Sequence, residues 1–105
     1  MLTTRNNVAN WTGDTGNAPE ALRLLTELLP DIKRVFIDPD HPLTLTVRCG
    51  IAHWTGAAGE SQRALSLFRE LLPIEQRVRG PNHPETVRVR DSIGRLETQG
   101  YRPYY

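Results

Sequence analysis

The chain is an internal repeat. Laying residues 2–35 over residues 45–78 gives 17 identities in 34 positions, among them Leu2/Leu45, Arg5/Arg48, Trp11/Trp54, Gly16/Gly59, Ala21/Ala64 and Pro30/Pro73. A third copy begins one residue early, at an offset of 42, where Pro39, His41, Pro42 and Thr44 recur as Pro81, His83, Pro84 and Thr86, and it runs to near Gly100. A fixed period of this length marks a repeat architecture, in which each unit is one supersecondary motif that buries its apolar face only against its neighbours. The whole chain reads as one domain: repeat 1 over about 1–38, repeat 2 over 39–80, a partial repeat 3 over 81–100, and a tail at 101–105.

Inside each unit the apolar period is helical. Val47, Ile51 and Trp54 follow i, i+4, i+7 spacing, as do Val89, Ile93 and Leu96, and Val8 and Trp11 behind Thr4. These predict a first helix, A, in every copy. Ala21, Leu25, Leu28, Ile32 and Val35, and then Ala64, Phe68, Leu71 and Val78, form the stripe of a second helix, B. Asn17 with Glu20 fits a capping box, and Pro42 and Pro84 suit the first turn of an A helix. No strand pattern competes, so the expected fold class is all-α, with antiparallel helices at about 2–13, 18–36, 42–56, 60–79 and 84–99. Pro30 and Pro73 fall inside the B helices, where a proline costs roughly 3 kcal/mol, so each B helix is expected to bend there and yet remain one helix.

The repeat also carries WTGDTG (residues 11–16) and WTGAAG (residues 54–59). A bare Gly-x-x-Gly could clamp a phosphate backbone, but Asp-Thr and Ala-Ala between the glycines supply no cation. The alternative is the corner between two helices, where glycine adopts the left-handed conformation cheaply. Charge agrees: 13 Lys and Arg against 12 Asp and Glu give a net +1, far from the basic surplus of a nucleic-acid binder. No apolar run exceeds four residues and no charged-then-apolar leader opens the chain, so neither a membrane span nor a signal peptide is expected. The single cysteine, Cys49, forbids an internal disulfide and makes a reducing, cytoplasmic setting the default.

Catalytic chemistry finds no foothold. Ser-His-Asp, paired-carboxylate and P-loop patterns are absent, and His41 and His83 recur at one repeat position, which fits a structural role at the loop-to-helix junction. Cys49 and His53 lie four apart on one helix, but structural zinc needs four ligands. No catalytic residue, metal or cofactor is expected.

The strings Val8-Ala9, Gly16, Ala21, Leu25 and Ile51-Ala52, Gly59, Ala64, Phe68 resemble the helix-turn-helix core of tetratricopeptide repeats. The period of 42–43, longer than the usual 34, together with RVFIDPDHPLTLTVRCGI and RVRGPNHPETVRVRDSI, is similar to the kinesin-light-chain-like subclass. Bacterial members of that subclass often stand in tandem behind a nucleotide-binding signalling ATPase of the NB-ARC type. The sequence departs from the pattern at three places. Thr12 and Thr55 replace the common tyrosine, Phe36-Ile37-Asp38 replaces Leu-Gly before the proline, and Cys49-Gly50 stand where the first copy has Asn6-Asn7.

The resemblance implies a short right-handed α-solenoid that acts as a non-enzymatic interaction module, a fragment of a larger signalling or regulatory protein, binding a peptide or partner protein in a concave groove lined by A helices. It maps the groove-facing positions onto Thr3, Asn6 and Asn10, then Thr46, Cys49 and His53, then Arg88, Asp91 and Arg95. Each trio has i, i+3, i+7 spacing and forms one stripe, and Arg88 with Arg95 favours an acidic ligand. The alternative for any one of these residues is a solvated helix face. Arg5, Arg48 and Arg90 read as a structural ladder, and Trp11 and Trp54 as packing anchors. A solenoid of two and a half repeats also leaves apolar surface at its ends, so Val8, Trp11, Ile93 and Leu96 are expected to drive self-association into homo-oligomers. On that reading the chain is a structural unit with no groove ligand.

Overall fold

The computed structural model describes residues 1–100. It contains α1 (Leu2–Asp14), α2 (Ala18–Val35), α3 (Pro42–Ala57), α4 (Ser61–Val78) and α5 (Pro84–Gly100), each end within one residue of its predicted place. No strand occurs among the described residues.

Local chemistry sets the boundaries. Gly16 and Gly59 hold φ of 107° and 103°, values that an L side chain resists. At each corner a six-residue bond closes the helix end, from the Asn17 amide to the Thr12 carbonyl (3.2 Å) and from the Glu60 amide to the Thr55 carbonyl (3.1 Å). Asn17 Oδ1 caps α2 by accepting from the Glu20 amide at 3.2 Å. The reciprocal half of the capping box is missing, because the Glu20 carboxylate is taken by Arg23 at 2.8 Å. The Nδ1 atoms of His41 and His83 each accept a backbone amide at 3.1 Å, from Leu43 and Glu85, and so cap α3 and α5 ahead of Pro42 and Pro84. The His41 ring stacks on Phe36 with centroids 3.8 Å apart.

Pro30 and Pro73 lie inside α2 and α4, and both helices run through them unbroken. Each proline is exposed, as are Thr26 and Arg69 four residues earlier, so the carbonyl that loses its partner faces water.

Consecutive helices pack in a row, α1 on α2, α2 on α3, α3 on α4 and α4 on α5. This makes two cores. The first joins Ala9 of α1 and Ala21, Leu25, Leu28 and Ile32 of α2 to Val47 and Trp54 of α3. The second joins Leu45, Cys49 and Ala52 of α3 to Ala64, Phe68 and Leu71 of α4 and Val89 and Leu96 of α5. The middle helix therefore has two apolar stripes, one toward each neighbouring hairpin. Burying one Leu, Ile or Phe side chain contributes about 1.5–3 kcal/mol, so each core holds its hairpin through a handful of residues.

One position breaks the equivalence of the copies. Where α2 has Ile32, α4 has Glu75, also buried, with both carboxylate oxygens free of hydrogen bonds among the described residues. Its ionic neighbour is the Arg79 Nε at 3.5 Å. Arg79 itself donates to the Pro42 carbonyl and to Thr46 Oγ1, the latter at 2.9 Å, pinning the start of α3 to the end of α4. Burial pushes the Glu75 pKa above its ordinary 4.5, against the pull of Arg79.

Candidate binding groove

The site follows from the way successive A helices meet. At the first junction α1 touches α3 directly. The Trp54 ring lies against the bare backbone of Gly13, where an added Cβ would come within 2.4 Å of it. The indole N–H donates to Asn10 Oδ1 at 2.8 Å. Asn10 is fully committed, because its Nδ2 donates back to the Asn6 carbonyl at 2.9 Å and to Asn6 Oδ1 at 3.2 Å. Only 6% of Trp54 remains accessible. Aromatic bulk and one satisfied polar tip seal this junction.

At the second junction α3 and α5 make no comparable approach. Leu96 stands in the tryptophan's place, His53 in that of Asn10 and Gly56 in that of Gly13. A groove of 810 Å³ opens between the two helices, with Phe68 of α4 at its base and Asn10 and Asp14 of α1 at one side. It brings together seven of the nine residues expected to face a groove: Asn10, Thr46, Cys49, His53, Arg88, Asp91 and Arg95.

Their availability differs from the sequence expectation. Thr3 is exposed but lies outside the groove, and Asn6 is buried, 7% accessible, beneath Asn10. Cys49 is 5% accessible and belongs to the second core, because α3 has an apolar neighbour on that side too. Burial, reinforced by the charges of Glu85 and Glu75, pushes its thiol up to about 12, so it stays protonated and is a poor nucleophile or metal ligand at neutral pH. Thr46 is held by Arg79. The surfaces left for a partner are His53, Arg88, Asp91 and Arg95, all exposed.

Among those four, Arg88 is drawn toward Glu85 at 3.4 Å, whereas Asp91 and Arg95 have no ion pair among the described residues. His53 packs edge-on to Trp54, with ring centroids 4.4 Å apart. Partial burial and then the charge of Arg95 hold its pKa below the usual 6.5, so the imidazole is neutral at pH 7. Asp14 and Glu85 also line the groove, and sequence reading missed both. Asp14 was reachable, since it extends the Thr3, Asn6, Asn10 stripe by one further turn. With these acids the groove carries both signs and is less basic than Arg88 and Arg95 alone imply.

Two other expectations need correction. Only the first rung of the arginine ladder forms: Arg5 pairs with Asp31 of α2 at 2.7 Å. Arg48 has no ion pair among the described residues because Ile74 stands where the first copy has Asp31, and Arg90 has none either. The two ends are also unequal. Val8 and Trp11 are 49% and 69% accessible on a face of α1 that no described helix covers, so Trp11 is no anchor within this chain. Leu96 is buried in the second core and Ile93 packs against that core, because α4 covers the inner side of α5.

No group of three or more His, Cys, Asp or Glu side chains that could hold a metal ion exists among the described residues, and no helix there is long and apolar enough to cross a membrane. No curated protein sequence matches the chain. A solved structure of nearly identical TPR-like repeats from a Podosopora anserina protein assigned as a kinesin light chain aligns with a TM-score of 0.78 at 21% identity. That alignment covers 93% of this chain and 46% of the other, so this chain spans less than half of that relative's length. A glutamine-to-methionine variant of that protein aligns with a TM-score of 0.77, also at 21% identity. Identity this low speaks for the fold alone. The sequence itself matches the model of the tetratricopeptide repeat over residues 1–76. Paired helices turning at glycine, a 42–43-residue period and this match together make the chain a member of the tetratricopeptide repeat family.

Proposed function

We propose that this chain is a non-catalytic interaction module that holds a short extended segment of a partner protein in the groove between α3 and α5. Tetratricopeptide repeats are generally protein-interaction modules. The observation that carries the reading is the unequal filling of two equivalent junctions, one sealed by Trp54 and the other left open as an 810 Å³ groove with exposed polar side chains. Arg95 is the groove's unopposed cation among the described residues, so a carboxylate on the partner has a charge-assisted partner there, while Asp91 and neutral His53 suit backbone amides. In a longer chain the module serves as one stretch of a repeat array in a signalling or regulatory protein.

A displayed library of short random peptides tests this. Selection on the wild-type chain is expected to enrich sequences bearing Asp or Glu, and Arg95→Glu is expected to discard them. Enrichment no better than on bare resin would remove the reading. A self-association reading also has an observation behind it, the exposed Trp11 and Val8 of α1.

A further inference from the structure

Trp54 at the first junction sits among Ala9, Asn10, Gly13, Ala21 and Leu25. The corresponding residues at the second junction are Ala52, His53, Gly56, Ala64 and Phe68. They line a cavity of 200 Å³ whose remaining walls include Leu96, the residue in the tryptophan's place. Leucine is too short to fill it. A Cβ added to Gly13 would meet three atoms of the Trp54 ring within 2.6 Å, whereas one added to Gly56 would meet only the Ala64 Cβ, at 3.2 Å. The second junction thus keeps the shape of an indole site without its indole.

The molecule also holds an indole without a site. Trp11 opens the same Trp-Thr-Gly string and is 69% accessible, beside Val8 at 49%. The stripe it shares with Thr4, Val8 and Thr15 carries no charge. Gly13 and Asn10 face α3, and Trp11 is exposed away from them, so it does not reach the cavity of its own chain. Nor can a further helix simply continue the stack on α5 by the same contact. Thr98 stands where Gly13 and Gly56 stand, and its Cβ occupies the space that an indole needs, while Arg95 replaces Asn10.

We infer that a second copy of this chain inserts its Trp11 into the cavity between α3 and α5, with its α1 lying along the groove. The contact joins two different surfaces, so it is heterologous and builds a ring or an open chain of copies. Burying the indole and Val8 supplies the driving force. This goes beyond the groove reading in its occupant, the outer face of α1 from a second copy, while His53 and Arg95 line both the cavity and the groove.

Sedimentation velocity and tryptophan emission of the full chain, from about 10 µM to about 1 mM, test it. The wild type is expected to sediment faster and shift its emission to the blue as concentration rises. Trp11→Ala and Leu96→Trp, the latter filling the cavity from within, are each expected to weaken association at least tenfold while circular dichroism shows unchanged helicity. Should Leu96→Trp lose helicity, Ser61→Leu blocks the cavity at its lining without entering the core. A wild type that stays monomeric at about 1 mM overturns the inference, as does association of Trp11→Ala, or of a folded cavity-blocked variant, at wild-type strength. The inserted α1 and a peptide would share the groove and its Arg95, so peptide selection is repeated on Trp11→Ala. Acidic peptides still captured there uphold the groove reading whatever becomes of self-association, and the two readings fail separately.

Discussion

The two junctions between repeats start from the same arrangement of helices, and they end in opposite states. At the first, Trp54 lies on Gly13, bonds Asn10 and brings α1 and α3 into direct contact. At the second, Leu96 and His53 occupy the equivalent positions and a groove remains. The cores beneath differ in the same sense: Ile32 is buried in the first, and a carboxylate, Glu75, in the second. In a solenoid each junction is an independent nearest-neighbour contact, so two or three side chains can close one and open the next without altering the helices.

The largest test of that contrast is Trp54→Ala. It is expected to cost about 3–5 kcal/mol, read by urea denaturation, because it empties the first junction of its main filling and strands the Asn10 acceptor. A loss below about 1 kcal/mol would mean that the indole does not hold α1 to α3.

Next comes a matched pair of glycine substitutions. Gly13→Ala is expected to destabilise by about 1–3 kcal/mol, since its Cβ collides with the ring of Trp54. Gly56→Ala has only Ala64 to accommodate, and alanine's better helix propensity, worth about 1 kcal/mol, offsets that contact, so its stability is expected to stay near wild type. Equal losses at the two sites would erase the difference between the junctions.

The smallest effect is read by its sign. Glu75 has a folded-state pKa above its ordinary 4.5, so the folded chain holds that proton more tightly than the unfolded chain. The stability it contributes is full below pH 4.5 and is lost as pH rises through the folded value. His53, with a lowered pKa, works in the opposite direction below 6.5, but it is common to both proteins in the comparison with Glu75→Gln. Denaturation at several pH values should therefore show wild type gaining on Glu75→Gln as the solution is acidified. A difference that does not change with pH would show that the carboxylate is not desolvated.

Much of the helical layout was legible from period alone. Apolar stripes and glycine corners placed every helix end within one residue, and the offset of 42–43 implied stacked hairpins. The prolines of α2 and α4 were legible too, and the structure adds that they face water, where a missing hydrogen bond is tolerated. The groove-facing positions came from the resemblance to tetratricopeptide repeats, and i, i+3, i+7 spacing added only that each trio shares a helix face. Cys49 shows where that rule stops. The same residue belongs to a polar-looking trio and to a second stripe with Leu45 and Ala52, and only the presence of α4 and α5 on that side decided for burial. Asn6 and Asn10 looked like free amides and are consumed by each other and by Trp54, a partner 44 residues from Asn10.

The sequence by itself determined the repeat, the helices and the corners, because these depend on residues within one or two turns of each other. The tertiary structure decided which of two identical Trp-Thr-Gly strings is buried. Trp54 has a bare glycine and an amide on the helix beside it, while the described chain sets no helix beside Trp11. Side-chain burial is a property of what stands opposite, and in a solenoid that is always the neighbouring hairpin.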